Sequence, residues 1–263
     1  MSKTEKELAF LRDLYIETDW TERFTNIFDD NFTFSDEEKI LYVNAGAGNH
    51  ALAVREKLDD VIEIFGVSET QELLNIARAK ADAIQANVDF SIVYPKDKFD
   101  AVLADASLIR PIEAQDLLAK IVKSSKNQVA FFLPTASSFG DIFSFLWETF
   151  LDLDQLEKSA EVERLIGDLP TVSTIEKMAE NLGLTKVETI SKNEIFEFDN
   201  GDAFVNSPLA ADYLFPMWLD FLDEMEKDRV IEKLARTIDE DCGAMSFQFS
   251  VKATLLVGEK AGK

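Results

Sequence analysis

The stretch that decides the fold is Ile40-Leu41-Tyr42-Val43-Asn44-Ala45-Gly46-Ala47-Gly48-Asn49-His50. An apolar run ends in a glycine-rich turn and passes into a helix-forming segment. A strand that ends in Gly-x-Gly at the start of a helix lets backbone N–H groups and the positive helix end approach a ligand that a β-carbon would hold away. Asn44 and His50 are the two unusual residues in this turn.

Outward from this turn, short apolar runs alternate with helical stretches, as in a parallel sheet covered by helices. The pattern predicts strands at Lys39–Val43, Val61–Val67, Val88–Val93, Phe99–Leu103 and Gln128–Leu133, the last ended by Pro134. Helices are expected at Asn49–Leu58, Thr70–Ala83 and Ile112–Ser124, with right-handed crossovers between the strands. Lys3–Tyr15 and Trp20–Ile27 read as two amphipathic helices before the sheet, because Leu8, Leu11, Leu14 and Tyr15 share a face. Beyond it, Gly140–Leu156 and Glu161–Ile166 read as helical. Ser173-Thr174-Ile175-Glu176 has capping-box spacing for a helix that runs to Leu182 and stops at Gly183. Lys186–Ser191 is expected as a sixth strand, Leu209–Glu226 and Arg229–Asp239 as helices, and Ser246–Val257 as a last antiparallel strand.

The chain has 263 residues, enough to bury a full core, and no linker interrupts it, so a single domain spanning 1–263 is expected. Fifty acidic residues against 27 basic ones give a formal charge of −23, with no run of basic residues longer than two. Such a field repels DNA, RNA and anionic lipid. One cysteine, Cys242, excludes an internal disulfide framework. The charged opening Met-Ser-Lys-Thr-Glu-Lys-Glu is unlike a signal peptide, and the apolar runs are too short to span a bilayer. A cytoplasmic protein is the expectation.

Taken together, Val43-Asn44-Ala45-Gly46-Ala47-Gly48, Phe65-Gly66-Val67-Ser68 with Leu73-Leu74-Asn75-Ile76-Ala77-Arg78, Phe99-Asp100-Ala101-Val102-Leu103 and the ending Val251–Lys260 resemble the class I S-adenosylmethionine-dependent methyltransferases, in the group acting on small molecules and lipids. The resemblance covers most of the chain. It implies a doubly wound, mostly parallel seven-stranded α/β sheet with an antiparallel last strand. It also implies N-terminal helices over 1–38 and helical lid insertions over about 137–170 and 204–242. S-adenosylmethionine is the cofactor it implies, and a small, lipophilic molecule the substrate. The cofactor residues it carries over are Asn44, Gly46 and Gly48 of the loop, Ser68 and Glu69 at the end of strand two, and Tyr94 and Asp97 on the adenine side.

The sequence departs from the family at several of these places. Asn44 stands where the family is usually acidic, and His50 where it has a third glycine. The ribose-binding acid falls on Ser68, with Glu69 one place later. The adenine-side loop is reduced to Tyr94-Pro95-Lys96-Asp97-Lys98. A neutral hydrogen bond contributes about 0.5–1.5 kcal/mol where a charged one contributes about 1.5–3.

For chemistry, Asp105, Ser107 and Arg110 follow strand four, where open α/β sheets place ligands, with Asp105 as base or orienting group. His50, at the first turn of a helix, is the other catalytic candidate, against the plainer reading of a packed side chain replacing glycine. Phe139, Phe143, Trp147, Phe204, Tyr213, Phe215 and Trp218 suit either an apolar acceptor pocket or ordinary helix packing. Two alternatives stay open. Gly46-x-Gly48-x-x-Ala51 with Glu69 also fits a dinucleotide fingerprint, hence a nicotinamide enzyme. Altered loop residues and acidic runs such as Asp220–Glu226 and Asp239–Asp241 fit a non-catalytic member that binds a basic protein partner.

Overall fold

The computed structural model describes residues 3–34 and 38–260, so the outermost residues of the expected domain 1–263, and 35–37 within the N-terminal region 1–38, lie outside the described residues. Seven strands, β1 (Lys39–Val43), β2 (Glu63–Val67), β3 (Val88–Ser91), β4 (Phe99–Asp105), β5 (Ser125–Pro134), β6 (Leu184–Phe198) and β7 (Phe247–Lys260), form one sheet in the order β3-β2-β1-β4-β5-β7-β6. Only β7 runs against the rest, pairing antiparallel with β5 and β6. The strand order therefore reverses between β1 and β4, the place where open sheets leave a crevice at their carboxyl ends.

Both faces of the sheet are covered, which explains why the central strands are apolar throughout. On β1, Ile40 and Tyr42 join one core and Leu41 and Val43 the other. Helices α5 (Ala114–Ser124) and α8 (Val172–Asn181) cover the second face through Leu118, Ile121, Ile175 and Ala179. Helices α3 (Asn49–Glu56) and α4 (Gln71–Ile84) cover the first near β1–β3, and Thr70 caps α4 by accepting from Leu73 N–H. Farther along that face lie α6 (Gly140–Asp152), α7 (Ser159–Asp168), α9 (Gly201–Val205), α10 (Phe215–Trp218) and α11 (Glu224–Cys242).

Several sequence expectations change. The two N-terminal helices are one: α1 (Glu5–Leu11), a π-helical segment Arg12–Thr21 and α2 (Glu22–Asn31) run on without a break. In the wider π turn Glu22 N–H reaches back five residues to Glu17 C=O, and Arg12, Ile16, Glu17, Trp20 and Thr21 all face inward. Thr171, not Ser173, caps α8, accepting from Thr174 N–H, and Glu176 instead accepts a hydrogen bond from Thr189. The expected helices Leu209–Glu226 and Arg229–Asp239 are redistributed into a π turn at Ala210–Leu214, the short α10 and the long α11, which opens with a capping box on Asp223 and Glu226. The link from β3 to β4 contains no helix, as the sequence reading has it.

Candidate active site

Four elements meet at the carboxyl ends of β1, β2 and β4. Asn44 and Gly46 both take positive φ after β1, and Asn44 donates its side-chain amide to the Asp105 carbonyl at 2.8 Å. Asparagine tolerates this left-handed geometry better than most residues. Gly46 N–H donates to Glu69 Oε2 at 3.0 Å, so the carboxylate after β2 reaches over the glycine turn. Ser68 is buried, and among the described residues its hydroxyl has no hydrogen-bond partner. Asp105, at the end of β4, accepts Ser107 N–H on Oδ1 at 2.7 Å.

Into this ring projects Arg12, from the π-helical segment. Its Nη2 lies 3.4 Å from Asp105 Oδ2 and 4.0 Å from Glu69 Oε1, and its Nε donates to Glu17 Oε1 at 3.2 Å. Sequence reasoning passed over Arg12 and Glu17 because both sit in a charged amphipathic stretch whose inward face is set by the π turn. Burial works against the Arg12 charge, but Glu17, Asp105 and Glu69 outweigh it and raise its pKa. Burial pushes the Glu17 carboxyl up to about 7 despite the attraction of Arg12. Glu69, a third exposed, is also raised by burial, with Arg12 opposing. Three carboxylates thus surround one guanidinium.

The two loop glycines serve different ends. A β-carbon on Gly46 would strike the Glu17 carboxylate. On Gly48 it would meet Phe90 Cζ at 2.9 Å and Ala77 Cβ at 3.0 Å, so Gly48 is required by the packing of the turn onto β3 and α4.

The remaining sequence candidates lie elsewhere. Tyr94 donates to Ser124 Oγ at 3.1 Å, with the Lys120 ammonium over its ring, on the α5 side of the sheet. Asp97 is exposed and adds to the field on Lys39, at the amino end of β1. The short link runs from the carboxyl end of β3 to the amino end of β4, with Asp97 toward the latter. His50 is 8 % exposed, and both its ring nitrogens are engaged, Nδ1 with Tyr42 Oη at 2.8 Å and Nε2 with Asp29 Oδ1 at 3.2 Å. Arg110 pairs with Asp220 at 2.6 Å.

Next to the cluster, beyond β4 and β5, Phe139, Phe143, Leu165, Leu214 and Trp218 border a cavity of about 60 Å3 that Arg110, Arg164 and Asp168 also line. Ser107 lines it too, and among the described residues the Ser107 hydroxyl lacks a partner. Of the other aromatic candidates, Phe204 and Phe215 are core residues and Trp147 is 41 % exposed. Tyr213 stands over the N-terminal helix and donates to the Leu8 carbonyl at 3.0 Å. Among the described residues no group of His, Cys, Asp and Glu is arranged to hold a metal, and no helix is long and apolar enough to cross a membrane.

No protein-family model matches the chain, and no curated protein matches it significantly. Solved structures are similar over nearly all of it. The YcgJ protein of Bacillus subtilis, 17 % identical, is matched over 92 % of this chain and 100 % of its own, with a TM-score of 0.57. The [4+2]-cyclase SpnF, also 17 % identical, is matched over 92 % of this chain and 81 % of its own, at 0.52. A phosphoethanolamine N-methyltransferase of Haemonchus contortus, in complex with S-adenosylhomocysteine, is 11 % identical and is matched over 97 % of this chain but 57 % of its own, at 0.52. The strand order, the lone antiparallel β7 and these likenesses agree: the chain has the fold of the class I S-adenosylmethionine-dependent methyltransferases.

Proposed function

We propose that this protein is an S-adenosylmethionine-dependent methyltransferase acting on a small apolar molecule. The observation that carries the reading is the cluster at the carboxyl ends of β1, β2 and β4, where Gly46, Ser68, Glu69 and Asp105 converge. Its donor set suits the cofactor. Glu69 stands where hydroxyls of a ribose would be accepted, the unpartnered Ser68 hydroxyl offers a second polar contact, and three carboxylates suit a cation. Bound there, S-adenosylmethionine supplies a methyl group already activated on a sulfonium.

The protein's task is then to bind and align, which alone accounts for much of a rate enhancement. Asp105 serves as an orienting carboxylate, because Ser107 N–H and Arg12 hold its two oxygens. His50 supports α3 through Tyr42 and Asp29. Phe139, Phe143 and Trp218 enclose the acceptor and exclude water, with the Ser107 hydroxyl as a polar contact inside the cavity.

Calorimetric titration with S-adenosylmethionine, S-adenosylhomocysteine and a reduced nicotinamide cofactor tests the reading. Micromolar binding of the sulfur cofactors, lost in Glu69→Ala, supports it. Binding of the nicotinamide alone would replace it with the dinucleotide alternative.

One observation favours a second reading: Arg12 already supplies a cation to the three carboxylates. A permanent internal occupant would make this a non-catalytic protein whose charge of −23 attracts a basic partner. That reading requires that none of the three ligands binds.

A further inference from the structure

We infer that Glu17 makes the cofactor site selective for the cationic sulfonium over its neutral thioether product, and that Arg12 is the internal cation which the sulfonium's charge replaces. The inference rests on the methyltransferase reading and names a specificity determinant within that site.

Glu17 does not belong to the sheet. It is brought in by the N-terminal helix and lies over Gly46, close enough that a β-carbon there would strike its carboxylate. The π turn places Arg12 and Glu17, five residues apart, on the same inward face, and both are almost fully buried. The groups facing this point are Arg12 and Glu17 from the helix, the Gly46 N–H, Glu69 after β2, Asp105 after β4 and the Tyr213 ring, 5.9 Å from the guanidinium. With all carboxylates ionised, this group carries an excess of two negative charges, and a guanidinium cannot relieve it by losing a proton.

Once the Arg12 side chain moves aside, the three carboxylates face the site without a cation. A ligand carrying a fixed positive charge takes its place, and a neutral thioether of the same shape does not. Methyl transfer converts the first into the second, so the same carboxylates that favour binding before the reaction stop favouring it afterwards. The helix itself is fastened at several points: Lys3 to Asp212, Tyr213 to the Leu8 carbonyl, and Asp13 to Asn49 and Lys80. Exchange of cations therefore asks for movement of the Arg12 side chain and leaves the helix docked.

The test is parallel calorimetry at pH 8 with S-adenosylmethionine and S-adenosylhomocysteine, on the wild-type protein, Glu17→Gln and Arg12→Met, each checked for native near-ultraviolet circular dichroism. The wild type is expected to prefer the sulfonium about tenfold or more, the difference between a charged and a neutral partner. Glu17→Gln should bring that ratio severalfold closer to one, and Arg12→Met should tighten the sulfonium more than the thioether. Should a variant fail to fold, the wild type measured at pH 6 and pH 8 gives the same information, because protonating Glu17 should shrink the ratio. Equal affinities in the wild type, or a ratio unmoved by both Glu17→Gln and pH, would overturn the inference and leave the cofactor reading standing. Absence of binding by both ligands in the wild type and in Arg12→Met would remove the cofactor reading and the inference together.

Discussion

Asn44 donates its side-chain amide to the main-chain carbonyl of Asp105 at 2.8 Å, pinning the end of β1 to the end of β4 where the strand order reverses. An acidic residue at this position, which the family resemblance would favour, has no hydrogen to donate. Asn44→Asp would set a carboxylate against a carbonyl oxygen and add a fourth negative group near Glu17, Glu69 and Asp105. A loss of about 1–3 kcal/mol is expected, read as a lower urea midpoint at pH 7.

Gly48→Val is expected to damage the fold before it affects any ligand. The new side chain meets Phe90 and Ala77, and the φ of +85° at this position disfavours a β-branched residue. The cost is about 2 kcal/mol or more, seen as a lower thermal midpoint with no ligand present. Gly46→Ala should act differently, since the group it meets is the flexible Glu17 carboxylate. Its larger effect should be on cofactor affinity, measured by calorimetry.

Glu17 gives stability a definite pH dependence. Its ordinary carboxyl value of 4.5 is raised to about 7 in the folded protein, chiefly by burial. Between these values the folded state holds the proton more tightly than the unfolded chain does. Glu17 therefore makes stability fall as pH rises through that window, by on the order of 3 kcal/mol in total. The groups facing it, Arg12, Glu69 and Asp105, remain in Glu17→Gln. That variant should lose less stability between pH 5 and pH 8 than the wild type, as judged by denaturant unfolding at each pH. Equal slopes would mean that the carboxyl titrates normally.

His50 is expected to matter for folding and not for chemistry. It joins the buried Tyr42 hydroxyl to Asp29 on α2, and Tyr42 is held well above its usual range, chiefly by burial. His50→Leu leaves that hydroxyl without its partner, at a cost of about 1–3 kcal/mol. Tyr42→Phe in the same background should restore part of the loss in a double-mutant cycle. Cofactor affinity should stay within twofold of the wild type in both variants, about 0.4 kcal/mol.

The sheet was legible because burial on both faces leaves an apolar signature, and β1 was read to the residue. The edge strand β6 was read short: its outer half, Lys192–Phe198, opens on three polar residues, with Glu194 buried and Ile195 exposed, and lacks a continuous apolar run. Gly46, Ser68 and Glu69 were placed together by local spacing along the β1 and β2 ends. Arg12 and Glu17 were not, since π winding does not follow the α-helical period and the contact of Arg12 with Asp105 spans 93 residues of chain. Tyr94 bonds Ser124 on the α5 side, a contact between residues 30 apart that spacing along the loop does not reveal.

In the π-helical segment, residues five apart are neighbours, so Arg12 and Glu17 reach the sheet already paired. Wound as an ordinary α-helix, with about 100° per residue, the same five-residue step would carry Glu17 about 140° around the axis from Arg12. Arg12 would then face only Asp105 and Glu69. The winding of one N-terminal turn, rather than the sheet's own residues, therefore sets the polarity offered at the mouth of this fold.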